Sequence, residues 1–147
     1  MADTIIQALR DYFLDCPLMT DNVVNVDYLP EDTRKNGIEF SIDVTPAEEV
    51  IQPYIDGGAR CQCVFTVRSV TDYGASVLQN LANSGLYERL SRWLQQQTRK
   101  RDLPALPEGL QPLAIEAQSA GYLFSAYEDA AKYQIQCRLI YYRKGAM

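Results

Sequence analysis

This sequence has few side chains that could act in catalysis or bind a metal, and their spacing does not match known catalytic or metal-binding motifs. Two adjacent carboxylate pairs, Glu48–Glu49 and Glu128–Asp129, could act as general acid and base only if they converged in one pocket. Neighbours in a loop mostly point apart, so we interpret both pairs as solvated turn residues. Histidine is absent, which removes the usual general base, the usual metal ligand and every imidazole-dependent nucleophile. Carboxylate or lysine chemistry stays open.

Thiol and metal chemistry are also poorly supported. Cys61 and Cys63 are one residue apart, which places both on one face of a strand and differs from the two-residue gap of zinc knuckles and redox motifs. With Cys16 and Cys137 they are interpreted as small buried hydrophobes, reduced in a cytoplasm. We expect no cofactor and no metal.

Composition points to one soluble domain spanning residues 1–147. The chain is 47% apolar, enough for a core at this length. Its net charge of −5 argues against a domain whose main task is to grip nucleic acid. The first residues lack the basic start of a signal peptide, and no apolar run approaches the roughly 18–20 residues of a membrane span.

The N-terminal third predicts one helix and two strands. Thr4 and Gln7 have capping-box spacing, and apolar residues then recur every three or four positions, which predicts an amphipathic helix over 4–15. Alternating residues predict strands over 24–28 and 38–44. We expect these two strands to form a hairpin, joined by a turn in the polar segment between them.

The segment 45–58 is ambiguous. Thr45 and Pro46 resemble a helix start, whereas Pro53 interrupts a helix and the AspGlyGly at 56–58 is a strong turn signal. The glycines lack the following helix and lysine of a phosphate-binding loop. Of the two alternatives we favour an extended excursion that returns through a projecting hairpin, a natural place for partner contact.

A helical pattern extends over about 75–101. Its apolar stripe changes phase at AsnSerGly, residues 83–85, which predicts a kink or two abutting helices. The basic residues Arg99, Lys100 and Arg101 end the helix. They could simply complement the helix dipole, or they could dock an acidic partner or phosphates.

The C-terminal region predicts strands over 113–117, 122–126 and 131–144. In the last of them the odd positions from Tyr133 to Tyr141 are apolar, so one face is buried, and Gln134, Gln136 and Arg138 point the other way. The fold class is therefore α+β: a mainly antiparallel sheet flanked by an N-terminal helix and a long, kinked or split central helix.

Ten tyrosines suggest an association surface. Tyr133, Tyr141 and Tyr122 fall on apolar faces, but Tyr87, Tyr127 and Tyr142 cannot all be buried in addition in a domain this small. Exposed tyrosine favours interfaces, so we expect self-assembly.

Several short motifs occur in a fixed order along nearly the whole chain. They are YIDGG at 54–58, NSGLYE at 83–88 followed by Trp93, GYLF at 121–124, GluAsp at 128–129 and AKYQIQCRLIYY at 131–142. Together they resemble a family of long-tailed bacteriophage proteins that are variously labelled minor capsid protein or tail terminator.

The resemblance implies a structural virion protein and no enzyme. Tail terminators form a ring, usually a homohexamer, that caps the tail tube and presents a surface to the head–tail connector. The implied partners are other copies of the chain, the tail tube protein and the connector or neck protein, at the tail–neck junction of particles assembled in a bacterial cytoplasm. DNA would only pass through the lumen, and an acidic subunit would let it slide.

We expect contact regions at the hairpin, at the basic helix end and on the outward face of the last strand. The residues are Asp56, Gly57, Gly58, Arg60, Arg99, Lys100, Arg101, Gln134, Gln136 and Arg138. The alternatives are a neck or head-completion protein of the same particle, a cytosolic binding module, or a small-molecule-modifying enzyme that works without histidine.

Overall fold

A computed structural model describes residues 4–17, 23–26, 39–72, 77–119, 122–127 and 130–145, with side chains described over 4–17, 40–69, 85–119 and 133–145. Two helices and seven strands lie in this part of the chain. In chain order they are α1 Ile5–Leu14, β1 Val23–Val26, β2 Glu39–Val44, β3 Val50–Pro53, β4 Ala59–Asp72, α2 Val77–Lys100, β5 Leu110–Ala117, β6 Tyr122–Tyr127 and β7 Ala130–Arg143. Among the described residues, neither helix combines the length and the apolar composition that a membrane-spanning helix needs.

The two longest strands, β4 and β7, form the centre of the sheet. They pair antiparallel along their whole length, from Ala59 opposite Arg143 to Asp72 opposite Ala130. The shorter strands β2 and β3 share the other edge of β4, while β5 and β6 share the other edge of β7. The sheet is therefore mainly antiparallel and flanked by two helices, which confirms the predicted α+β class.

The predicted hairpin between the first two strands is wrong. β1 pairs with β2, but the two strands run parallel, with Val23 opposite Glu39 and Val26 opposite Ile42. A parallel pair needs a crossover connection of about a dozen residues, and residues 27–38 supply that length. Alternation of apolar residues does not encode strand direction, so the pattern could not distinguish the two pairings. The expected turn at 31–37 lies outside the described residues.

One face of the sheet is buried, as the alternation in the last strand predicts. The odd residues from Tyr133 to Tyr141 are at most 5% exposed. In register with them on β4 lie Cys61, Phe65 and Val67, which are fully buried. Two expected apolar positions are exceptions, since Val44 is 47% exposed and Leu113 is 41% exposed. Leu113 lies at a register shift of β5, where strict alternation is lost.

Helix α1 covers this buried face. Thr4 caps it, because the Thr4 hydroxyl accepts a hydrogen bond from the backbone N–H of Gln7. The ring of Phe13 packs on Phe65 of β4 with centroids 5.8 Å apart, and on Trp93 of α2 at 6.1 Å. The predicted helix and its position on the sheet are therefore confirmed.

Helix α2 is continuous from Val77 to Lys100, so of the two expected alternatives at residues 83–85 the division into two helices does not occur. A glycine in a helix interior costs about 1 kcal/mol relative to alanine, which tertiary packing readily outweighs. Leu86, Leu90 and Leu94, spaced four residues apart, are buried against the sheet. Tyr87 is also buried, at 1% exposure, whereas Tyr142, one of the tyrosines that could not all be buried with it, is partly exposed.

The excursion predicted for 45–58 is confirmed as extended chain and hairpin. β3 pairs antiparallel with the start of β4, and residues 54–58 form the turn between them. After α2 an irregular link that contains Pro104 and Pro107 leads to β5, also as predicted. The breaks expected at 120–121 and 128–129 lie outside the described residues.

Candidate interaction surfaces

The tip of the β3–β4 hairpin is held by a set of local hydrogen bonds. Tyr54 N–H donates to the Gly58 carbonyl over 2.8 Å, and Gly57 N–H donates to the Tyr54 carbonyl over 3.2 Å. Asp56 Oδ1 accepts from Gly58 N–H at 2.8 Å, an Asx turn that aspartate favours. Gly57 has a φ of 88°, a conformation that glycine adopts without the usual steric cost. The predicted AspGlyGly signal therefore forms the turn.

The end of the last strand packs directly on this tip. The ring of Tyr142 lies 6.0 Å from that of Tyr54, and its hydroxyl donates to Asp56 Oδ2 over 3.3 Å. A β-carbon on Gly145 would overlap the Asp56 carbonyl, so the chain passes there without room for a side chain. Two elements far apart in sequence thus fix one turn.

A fully exposed isoleucine occupies the apex of this fixed turn. Ile55 has 107% relative exposure, while the adjacent Tyr54 is 40% exposed and Ile51 of β3 is 42% exposed. The predicted contact residues here, Asp56 and the two glycines, build the turn, and Ile55 was not among them. Ile55 is part of the YIDGG motif. Because residues in a turn do not alternate between two faces as those of a strand do, the sequence did not predict that the Ile55 side chain is exposed.

The outward row of β7 is occupied by contacts within the chain. Arg138 Nε forms an ion pair with Glu116 Oε1 at 2.6 Å, and Arg138 Nη1 donates to Gln62 Oε1 at 3.3 Å. Gln136 Nε2 donates to Gln118 Oε1 at 3.1 Å. Gln134 lies on the same face and also has a partner. Of the three, only Gln136 is exposed, and the predicted contact row forms a network of polar contacts over the sheet.

Arg60 lies on the same outward face. It pairs with Tyr142 across β4 and β7, two residues from Gln62. The structure therefore brings Arg60 together with the β7 row and with the hairpin tip. Arg60 is exposed and has no ion-pair partner within the described residues.

The basic residues Arg99, Lys100 and Arg101 lie at the end of α2, apart from that face. All three are exposed, and none forms an ion pair with another described residue. Arg101 adopts a φ of 59°, the left-handed conformation that often ends a helix. Neighbouring Asp102 accepts from Gln97 Nε2 at 3.0 Å, so its carboxylate is turned back toward the helix.

A surface cleft of about 530 Å³ adjoins this helix end. Its walls come from the last turn of α2, the following link and the start of β5. The lining residues are Thr98, Arg101, Leu103, Gln111, Pro112 and Leu113. The Thr98 hydroxyl donates to the Ile115 carbonyl at 2.8 Å and accepts from Ile115 N–H at 3.1 Å. The Thr98 hydroxyl thus satisfies both backbone hydrogen-bonding groups of Ile115 at the edge of β5, so another strand cannot pair with β5 at that residue.

A smaller cleft of about 250 Å³ opens between β2 and β3, where residues 45–49 leave the edge of β4. Glu49 Oε1 accepts from the Tyr141 hydroxyl and from Arg143 Nη1, both at 3.0 Å. Burial raises the pKa of the Cys63 thiol in the same cleft, and Glu49 raises it further. A thiol with a raised pKa is mostly protonated near neutral pH and is a poor nucleophile.

The cysteines are free thiols, as predicted. Cys61 and Cys63 lie on one face of β4, with Cys61 fully buried and Cys63 partly buried. Burial raises the pKa of Cys137 to about 12. Within the described part of the chain, no three Cys, Asp or Glu side chains are grouped as metal ligands would be.

No protein-family model matches this chain, and no curated protein is similar to it at a significant level. The resemblance to tail terminators stays a prediction.

Proposed function

We propose that this chain is a structural protein of a long-tailed bacteriophage, a tail terminator whose copies form a ring on the tail tube and join it to the head connector. One observation carries the proposal. The hairpin tip presents a fully exposed isoleucine, Ile55, on a turn fixed by six hydrogen-bonded or packed residues of the same chain. Exposed apolar side chains on preorganised elements favour protein contact, because little conformational entropy is lost on binding.

The motifs behind the resemblance support the same function. YIDGG forms the hairpin tip, NSGLYE lies within α2, and AKYQIQCRLIYY occupies most of β7. The α+β sheet flanked by helices is the fold that the resemblance implies. The motifs therefore fall on α2, β7 and the turn between β3 and β4.

Phage particles carrying an epitope on this chain would test the proposal. Electron microscopy with a labelled antibody should find the chain in one band between tail tube and connector, and nowhere on the capsid. Label distributed over the capsid would overturn the proposal.

Removal of the protein distinguishes the terminator from a neck or head-completion protein. A cap that stops growth of the tube predicts tails of uncontrolled length when it is missing, together with unjoined heads. A neck or head-completion protein predicts tails of normal length beside defective heads. Tail lengths measured in lysates of the deletion, with and without the gene supplied in trans, give the answer.

A further inference from the structure

We propose that copies of this chain associate side by side, with the acidic arm of one copy docked in the basic cleft of the next. The acidic arm is residues 45–58. The basic cleft is the surface formed by residues 98–103 and 111–113. The inference deepens the proposed function and rests on it, since a ring needs such a repeated contact.

The arm and the cleft lie on opposite edges of the sheet and at the same end of it. Across the strands, Pro53 of β3 pairs with Ala59, Ala59 with Arg143, and Arg143 with Leu110 of β5. Three strand spacings separate β3 from β5, or about 14 Å. Two central strands therefore stand between the arm and the cleft of one copy, so the contact is available to a second copy.

The arm combines apolar exposure with negative charge. Ile55 is fully exposed at its apex, and Tyr54 and Ile51 of the same arm are 40% and 42% exposed. Glu48, Glu49 and Asp56 are its charged residues, and it contains no lysine or arginine. Glu49 pairs with Arg143, whereas Glu48 is exposed with no ion-pair partner among the described residues.

The cleft has the complementary character. Leu103, Pro112 and the 41%-exposed Leu113 are its apolar lining residues, and Arg101 is its charged one. The exposed Arg99 and Lys100 precede Arg101 in the chain. Asp102 is the one acid in residues 98–103 and 111–113, and its carboxylate is engaged by Gln97. Glu108 lies in the link between the two ranges. Its volume of about 530 Å³ lies within the range of pockets that hold small molecules, which leaves room for an aliphatic side chain.

The expected contact is an isoleucine anchor surrounded by opposite charges. The apolar side chains would supply most of the affinity, and the charged rim would set orientation and association rate. Because the rim charges are exposed, the association should weaken as salt is added.

The position of the two surfaces also decides the kind of assembly. An arm on one edge and a cleft on the other make a heterologous contact, in which each copy uses two different surfaces. Since both lie at the same end of the sheet, successive copies keep the same orientation along the assembly axis. A ring closes when the rotation between neighbours divides a full turn.

Two substitutions at exposed positions test the pairing. Ile55→Asp disables the arm and Leu113→Asp disables the cleft, and each should weaken self-association about thirtyfold, the effect of losing one apolar anchor. Leu14→Asp on α1, at 41% exposure, is the matched control outside both surfaces and should leave association unchanged. Circular dichroism and thermal melting verify that each variant is folded.

Mixing the two variants gives the decisive result. The intact arm of Leu113→Asp fits the intact cleft of Ile55→Asp, so the mixture should form a 1:1 heterodimer that cannot grow further. Native mass spectrometry with one isotopically labelled variant detects it. A mixture that stays monomeric, or single variants that associate like the unaltered chain, would overturn the inference.

If the association is too weak for native mass spectrometry, a photoreactive amino acid at position 55 can detect it by cross-linking. At about millimolar protein it should cross-link to peptides containing residues 98–103 or 111–113 of a second copy, even for a contact of millimolar dissociation constant. Adducts elsewhere, or no intermolecular adduct, contradict the arm-in-cleft contact. The microscopy of particles could still show a ring in that case, so failure here is distinguishable from failure of the proposed function.

Discussion

Tyr142, next to last in β7, donates a hydrogen bond from its hydroxyl to Asp56 Oδ2 at the hairpin tip, over 3.3 Å and a separation of 86 residues. Asp56 Oδ1 accepts at the same time from Gly58 N–H. One carboxylate therefore closes the turn and ties it to the last strand. Ile55 lies between Tyr54 and Asp56 in sequence. The orientation of the Ile55 side chain therefore depends on the two hydrogen bonds that Asp56 accepts, from Gly58 N–H and from the Tyr142 hydroxyl.

We predict that Asp56→Ala loosens the tip while the sheet stays folded. The substitution removes the acceptor for Gly58 N–H, whose bond closes the turn. Amide exchange measured by NMR should speed up several-fold at Tyr54 and Gly58 and stay unchanged in the centre of β4. Tyr142→Phe is the control, because it removes only the Oδ2 contact and should give a smaller increase. Equal exchange in Asp56→Ala and the unaltered chain would contradict this role of the carboxylate.

A buried hydroxyl links α2 to the sheet. Tyr87 donates to the Tyr133 carbonyl at 3.2 Å and shares a short hydrogen bond with the Ser69 hydroxyl. Tyr87→Phe leaves the buried Ser69 hydroxyl without this partner, so we expect it to lower the free energy of unfolding by about 1–3 kcal/mol. Urea denaturation measures the change.

The double variant Tyr87→Phe with Ser69→Ala is the matched comparison for that bond. It removes both partners together, so it should be less destabilised than the sum of the two single variants. Strict additivity would show that the two hydroxyls do not interact in solution.

Alkaline pH should destabilise the protein from about pH 9 upward. Burial raises the pKa of Cys137 to about 12 from an ordinary value of 9.0. Burial likewise raises the pKa of Tyr87 and Tyr141 above their ordinary value of 10.0. A group whose folded-state pKa is raised contributes stability that is complete below its unfolded pKa and is lost as pH rises toward the folded pKa. Loss of stability therefore begins with the Cys137 thiol near pH 9, and the two tyrosines add to it above pH 10.

Cys137→Ala isolates the contribution of that thiol. Between pH 9 and 10 its free energy of unfolding should fall by about 1 kcal/mol less than that of the unaltered chain, because one titrating group is missing. Urea unfolding at pH 8, 9 and 10 supplies the comparison. The slope with pH carries the result, since the smaller side chain also lowers stability at every pH. If the free energy of unfolding falls equally with pH in Cys137→Ala and in the unaltered chain, the Cys137 thiol does not contribute to the alkaline destabilisation.

Charge reversal at Arg138 should destabilise the fold. Arg138→Glu places two carboxylates opposite each other across β5 and β7, where Arg138 and Glu116 now form an ion pair of 2.6 Å. Like charges in a cross-strand pair cost about 1 kcal/mol. The swap Arg138→Glu with Glu116→Arg should recover most of the loss in a thermal melt. No recovery would show that the contact of Arg138 with Gln62 contributes more to stability than its ion pair with Glu116.

The same ion pair affects any test of the outward face as a subunit contact. A loss of assembly in Arg138→Glu would mix a folding defect with an interface defect. Gln136 is exposed, so Gln136→Glu tests that face with less effect on folding. Unchanged self-association of Gln136→Glu would indicate that the row is only a solvated face.

Periodicity predicted much of this fold. Alternation from Tyr133 to Tyr141 predicted a buried strand face, because the side chains of a strand alternate between its two faces whatever its neighbours are. Cap spacing at Thr4 and the turn chemistry of Asp56–Gly58 are equally local, so the N-terminal helix and the hairpin were readable in advance.

Local patterns could not supply what depends on distant contacts. The parallel direction of β1 and β2, the continuity of α2 through Gly85 and the burial of Tyr87 all follow from packing between distant segments. The partners of the outward row show the same division, since Arg138 binds Glu116 of β5 and Gln136 binds Gln118, and local patterns cannot predict such contacts.

What the sequence alone determined, then, was which residues form each element and which of their faces are apolar. Tertiary structure decided which edges of the sheet lie opposite each other, and so placed Ile55 and Leu113 at one end on opposite sides. The physical reason is that periodicity is set by the backbone geometry of a few consecutive residues. The order and direction of strands are instead set by the burial and hydrogen bonding of the whole chain.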